Sequence, residues 1–143
     1  MKYLSLLLWG LQSLLAAGFA WAAWMKLAQP ADALAVMWPW TAEHPALAHV
    51  TGVLDALAAA GLLLPIGRRT WPGLTTLAAA GAVLLMVAAI VFHLLRGETG
   101  SIGFNVFFGL MAGVVWWGRA RTSPPKRISA DVSEQGRYPD SRS

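Results

Sequence analysis

Four long apolar stretches, residues 3–25, 45–65, 71–95 and 102–117, leave this chain few ways to fold. A bilayer core about 30 Å thick takes about 20 apolar residues of helix. The first three stretches reach that length, and the fourth is nearer the minimum. In hydrocarbon a segment must satisfy its backbone N–H and C=O groups internally, which favours helices. The expected fold is therefore all-α, a four-transmembrane-helix bundle. Charge content agrees: 13% of the 143 residues are charged and 57% are hydrophobic. A soluble domain carries about 25% charged residues to cover its surface. The lipid bilayer is the first partner implied.

The absence of cysteine excludes disulfides and thiolate metal sites. The net charge of +4 sits largely in the short loops and the C-terminal tail. Basic charge so placed reads as membrane topology, and no basic stripe interleaved with aromatics marks a nucleic-acid surface. No Gly-rich phosphate loop, nucleophile elbow or triad spacing is present, so no catalytic residue is assigned. The first stretch has features of a signal peptide, with Lys2 ahead of it and Ala20-Trp21-Ala22 near its end. Its apolar run of about 22 residues exceeds a usual signal core, so it is expected to remain as the first helix.

Loop charges give an expected orientation. Lys2, Arg68, Arg69, Arg119, Arg121, Lys126 and Arg127 fall on one side, while Lys26 and Arg96 fall on the other with Asp32, Glu43 and Glu98. The first side is expected to be cytoplasmic, with both termini inside the cell (inner) membrane. Trp71, Trp116 and Trp117 would mark the inner interface, and Trp21, Trp24, Trp38 and Trp40 the outer one. In the long first loop, residues 31–37 suit a short interfacial helix with Asp32 at its positive end. Pro39 and Pro45 stop a continuous helix there, and Pro72 suits a first helical turn. The short connection 66–70 makes the second and third helices antiparallel neighbours. Composition shifts at Arg119, so a transmembrane domain over 1–118 and a disordered basic tail over 119–143 are expected.

The polar residues within the spans are the candidate site. By a 1.5 Å rise per residue, His49 and Asn105 lie about one turn below the outer surface and Asp55 roughly 14 Å below it. Lys26 and His93 lie at the outer helix ends. Gln12 lies towards the other side but shares a stripe with Trp9, Ala16, Phe19, Ala23 and Lys26. Thr51 and Asp55 share a face, as do Ala82, Met86, Ala89, His93 and Arg96. The site candidates are therefore Asp55, Lys26, His93, Asn105, His49 and Gln12. A carboxylate in hydrocarbon must be neutral or paired, and Lys26, His93 and Asn105 are the candidate partners of Asp55. Such a cluster suits ligand or proton chemistry; equally, it suits a buried pair that fixes helix register. His49, Asp55, His93 and Glu98 lack the short spacing of a metal site, and the histidines do not match as a haem pair.

Small residues predict where helices approach closely. Ala48, Gly52, Ala56 and Ala60 form a row on the second helix, and Gly109 and Gly113 a GxxxG on the fourth. Through the Gly52/Ala56 or Gly109/Gly113 faces the helices would build the bundle, a homodimer or a contact with a partner subunit.

Several phrases taken in order resemble the DoxX-like family of small four-helix membrane proteins. They are Gly18-Phe19-Ala20 with Met25-Lys26-Leu27, then Met37-Trp38-Pro39-Trp40, then Gly52-Val53-Leu54-Asp55 with Gly61-Leu62-Leu63-Leu64-Pro65, and last Val91-Phe92-His93-Leu94. The resemblance covers residues 3–117 and assigns Lys26, Asp55 and His93 to the family's polar positions. Relatives often carry Glu where this chain has Asp55, so the charge sits on a shorter arm. The family takes its name from a subunit of a thiosulfate:quinone oxidoreductase, and other relatives act as membrane chaperones or assembly factors. The resemblance thus implies an accessory or ligand-binding role, a quinone-linked redox role with quinone as cofactor, or an assembly role. Because the native chain lacks cysteine, a Cys placed at Arg68 is expected to react only with a thiol reagent applied from the cytoplasmic side; labelling from outside would overturn the orientation.

Overall fold

Each apolar stretch forms one long helix, and two short helices fill the first long loop. The computed structural model describes residues 2–64 and 72–122. In chain order the helices are α1 (Lys2–Ala28), α2 (Ala31–Met37), α3 (Trp40–Glu43), α4 (Pro45–Leu63), α5 (Pro72–Leu95) and α6 (Ile102–Thr122). A 3-10 turn, Thr99–Ser101, precedes α6. Among the described residues there is no strand. Four segments are long and apolar enough to cross a membrane: Tyr3–Ala28, Pro45–Leu63, Gly73–Leu95 and Thr99–Arg121. The chain is a multi-pass, all-helical membrane protein.

Proline sets several boundaries. Pro30 precedes α2, Pro39 precedes α3, and Pro45 is the first residue of α4, where its missing N–H removes no hydrogen bond. The interfacial helix expected over 31–37 is present with Asp32 in its first turn. The fourth apolar stretch ends at 117, but α6 continues to Thr122. Its last turns carry aromatic–cation contacts, with Arg119 at 4.3 Å over Trp9 and Arg121 at 4.1 Å over Trp117. Long basic side chains can cover apolar surface while their heads reach polar surroundings, so the helix need not end where the apolar run does. The connection 66–70, Arg68, Arg69, Trp71 and the tail from 123 onward lie outside the described residues.

Packing closes the four long helices into a ring in the order α1, α4, α5, α6 and back to α1. Contacts between helix ends show that neighbours alternate in direction. Lys26 near the end of α1 meets Gly52 near the start of α4, and Gly61 near the end of α4 meets Ala78 near the start of α5. Leu8 near the start of α1 meets Gly118 near the end of α6. The core runs through Leu15, Ala16, Phe19, Leu62, Ala79 and Ala82 to Met86, Phe108, Ala112 and Val115. In lipid the burial of apolar area gives little association energy, so van der Waals fit between small residues carries much of the packing.

The predicted stripe of α1 is the packed one: Gln12, Ala16, Phe19 and Ala23 are buried. The row on α4 splits. Ala48 and Gly52 are buried, whereas Ala60 faces outward. A Cβ on Gly52 would stand 2.9 Å from that of Lys26, so Gly52 serves a contact within the chain. Gly109 likewise packs on Met86, while a Cβ on Gly113 would meet nothing within 4 Å. At Gly61 an added Cβ would lie 2.6 Å from that of Ala78. Gly61→Leu is therefore expected to lower stability by about 1–3 kcal/mol through overpacking. Gly113→Ala should stay within about 0.5 kcal/mol of the native chain. Unfolding of both variants in the same detergent checks the contrast.

Candidate functional site

At the end of the bundle where α1 meets α4, the helices part around a recess of about 570 Å³. Its walls are largely apolar, with rings from Phe19, Phe92, Phe104 and Phe108 of the long helices and Trp38 and Trp40 of the α2–α3 segment, beside aliphatic groups such as Leu47, Leu85 and Met86. Phe104 and Phe108 stack at 4.2 Å, and Phe108 meets Phe19 edge-on at 5.9 Å. Gly18 leaves the room that Phe108 occupies. Lys26, Thr51, Asp55, His93, Ser101 and Asn105 supply the polar part of the lining.

Lys26 and Asp55 form an ion pair. The Lys26 ammonium donates to Asp55 Oδ2 at 2.8 Å, and the side chains are only 14% and 3% exposed. Helix spacing brings them together, since Gly52 lets α4 approach the α1 backbone one turn before Asp55. The ammonium also faces the Trp38 and Trp40 rings at 5.6 and 6.0 Å. Trp40 is 7% exposed and packs edge-on against Phe92 at 5.5 Å. A desolvated cation over a π face recovers part of its lost hydration, which gives these tryptophans an inward role.

His93 does not pair with Asp55. Its Nδ1 lies 2.8 Å from Glu98 Oε2. The reason is local: Gly97 takes the left-handed conformation, φ 72°, and ends α5. The chain then folds back, with the Glu98 N–H donating to the His93 carbonyl at 2.9 Å. Arg96 completes the cluster, donating to Glu98 Oε1 at 2.8 Å and to Glu43 Oε2 at 2.7 Å. The second bond ties α3 to the end of α5. Hydrogen bonds from Arg96 are the main cause holding the Glu43 and Glu98 carboxyls below their ordinary range, with His93 adding to the effect on Glu98. The two carboxylates in turn push the Arg96 guanidinium upward.

The other sequence candidates are placed apart from the ion pair. Asn105 is buried in the lining but donates to the Ser101 carbonyl at 3.2 Å, one turn back on its own chain. His49 is exposed, outside the recess, with Nδ1 3.3 Å from the Pro45 carbonyl oxygen. Gln12 is fully buried at the opposite end, donating to the Leu62 carbonyl and accepting from Arg119 Nε at 3.0 Å. Glu98, Arg96 and Glu43 were not among the site candidates. Gly97 beyond the last turn of α5 was the available signal, since a left-handed glycine folds the next residue back over the helix end. Among the described residues no group of three or more His, Asp or Glu is placed to hold a metal.

This architecture defines a class, a four-helix transmembrane protein with an aromatic recess beside an intramembrane ion pair. The chain belongs to the DoxX-like family, whose family model matches residues 10–115. No curated protein and no solved structure matches it.

The Arg96 cluster gives a pH dependence with a definite sign. Carboxyls held low in the fold stabilise it above their ordinary pKa, and that contribution is lost as pH falls through the lowered values. The α2–α3 segment should therefore stay docked at neutral pH and loosen as pH falls below the ordinary value of 4.5. Trp fluorescence against pH follows this directly, because Trp38 and Trp40 ride on that segment. Arg96→Gln is expected to loosen the segment at neutral pH and flatten the acid limb. An unchanged titration would show that Arg96 does not hold it.

Proposed function

We propose that this chain is a non-enzymatic accessory protein of the cell membrane that binds a small, largely hydrophobic ligand in the recess. The carrying observation is the Lys26–Asp55 pair at 2.8 Å, set in a largely apolar lining rich in aromatic rings. Burying two charges costs several kcal/mol per ion, and apolar packing often replaces such a pair without loss of stability. A role in holding a ligand gives these charges a use that packing alone does not supply. The recess size, of the order of 300–1,000 Å³, and its apolar walls with few polar groups are typical of small-molecule sites. In the orientation expected from loop charge, the recess lies in the outer half of the bilayer.

The stacked Phe104 and Phe108 and the nearby Trp38, Trp40 and Phe92 also favour a second reading, a quinone-linked redox accessory. Flat rings bind well against aromatic walls in offset or edge-on geometry. Asp55 and His93 would then stand near the ring as proton-handling groups.

The test separates binding from scaffolding. Asp55→Leu alone strands the Lys26 charge and is expected to cost about 3–5 kcal/mol. The double variant Lys26→Met with Asp55→Leu is expected to recover stability to within about 1 kcal/mol of the native chain. Mass spectrometry then compares small molecules retained by the native and double-variant proteins in nanodiscs. Retention by the native chain alone supports the site, and a retained quinone selects the second reading. If the double variant keeps the same molecules, or if it cannot assemble, the pair is structural and the proposal falls.

A further inference from the structure

The geometry points to a ligand class: we propose that the recess selects a hydrophobic alcohol or phenol whose hydroxyl donates a hydrogen bond to His93 Nε2. This rests on the reading of the recess as a ligand site and adds the feature that the site recognises. His93 is buried and lines the recess. Its Nδ1 stands 2.8 Å from a Glu98 carboxylate oxygen, which can only accept, so the ring proton lies on Nδ1. In the neutral imidazole, Nε2 then carries a lone pair and no hydrogen. Among the described residues Nε2 has no hydrogen-bond partner.

The carboxylate that sets this tautomer is itself fixed. Arg96 Nε holds the other Glu98 oxygen at 2.8 Å, and Gly97 folds Glu98 back onto the helix end. Other polar groups of the lining are partly engaged, with Asp55 Oδ1, the Asn105 side-chain oxygen and the Ser101 hydroxyl keeping capacity to accept. Lys26 donates to Asp55, Asn105 to the Ser101 carbonyl and the Thr51 hydroxyl to the Ala48 carbonyl. His93 Nε2 is thus a fixed acceptor in an aromatic wall. A ligand that leaves a buried acceptor unpaired forfeits a hydrogen bond. The complementary group is an O–H on an apolar body, and an aromatic body also suits the surrounding rings.

The test uses para-propylphenol and its methyl ether as probes on the full chain in nanodiscs, at about pH 8, read by quenching of the recess tryptophans. The two probes share a ring and an alkyl chain but only the phenol can donate. His93→Phe removes the acceptor while keeping an aromatic ring. The phenol-over-ether preference is expected to be about five- to tenfold greater in the native chain than in His93→Phe, the value of one hydrogen bond. Comparing the preference between proteins cancels unequal partitioning of the probes into lipid. Glu98→Leu frees the proton to move to Nε2, so it should lower the preference while ether affinity stays unchanged. Glu98 acts here as a positioning residue, and a purely structural role would not move this ratio. Equal preference in the native chain and His93→Phe overturns the assignment of the hydroxyl to His93 while leaving the recess as a site. Binding of neither probe to the native chain overturns both readings.

Discussion

Hydrocarbon offers no hydrogen-bond partner, and that constraint governs where the main polar side chains of this bundle go. Lys26 and Asp55 answer it with each other, at 2.8 Å, across the α1–α4 contact. Gln12 answers it with the Leu62 carbonyl and Arg119, and Asn105 and Thr51 with carbonyls of their own segments. His93 reaches past the end of α5 to Glu98. These pairings do more than avoid a cost. Two of them, Lys26–Asp55 and the Gln12 bonds, cross between helices, and each can form in only one register of the helices it joins.

The two ends of the bundle use this register differently. Towards the start of α1, Gly61 meets Ala78 and Gly118 meets Leu8, so the backbones come close and leave little space. Towards the other end the small residues give way to Phe92, Phe104, Phe108 and the tryptophans of the α2–α3 segment. Rigid rings of this size cannot interdigitate as densely as alanine and glycine, and the space between them is the recess. Close packing at one end therefore permits an open, specific chamber at the other, because the helices are held before the chamber is reached.

Much of this was legible in the sequence. Apolar length gave the four long helices, and the alternating three- and four-residue steps on α1 marked the face that is buried. Depth counting put Lys26 at the outer helix end and Asp55 roughly 14 Å deep, and of the three candidate partners it is Lys26 that meets Asp55. What was not legible depends on directions that spacing does not encode. His93 was a candidate partner of Asp55, yet a single left-handed glycine brings it Glu98 instead. Asn105 and His49 turn instead to nearby carbonyls, Ser101 in the turn before α6 and Pro45 at the start of α4. The aromatic phrase Trp38-Pro39-Trp40 reads the same whether it lies among headgroups or folds inward. Its inward position follows from the Lys26 cation and Phe92, which belong to distant helices. Arg119 and Arg121 were read as loop charges, though their aliphatic stems let α6 continue beneath them.

The bonds of Gln12 set an order on biogenesis. This amide lies on α1, which leaves the ribosome before the other described helices, while one of its partners is the Leu62 carbonyl of α4 and the other is Arg119, 107 positions later near the end of α6. A nascent chain therefore carries a buried-to-be amide without its final partners through the insertion of three more spans. Only arrival of α6 closes the ring and satisfies Gln12 fully. Chains interrupted before that point present an unpaired polar group in the lipid, a feature by which membrane quality control can tell an unfinished molecule from a finished one.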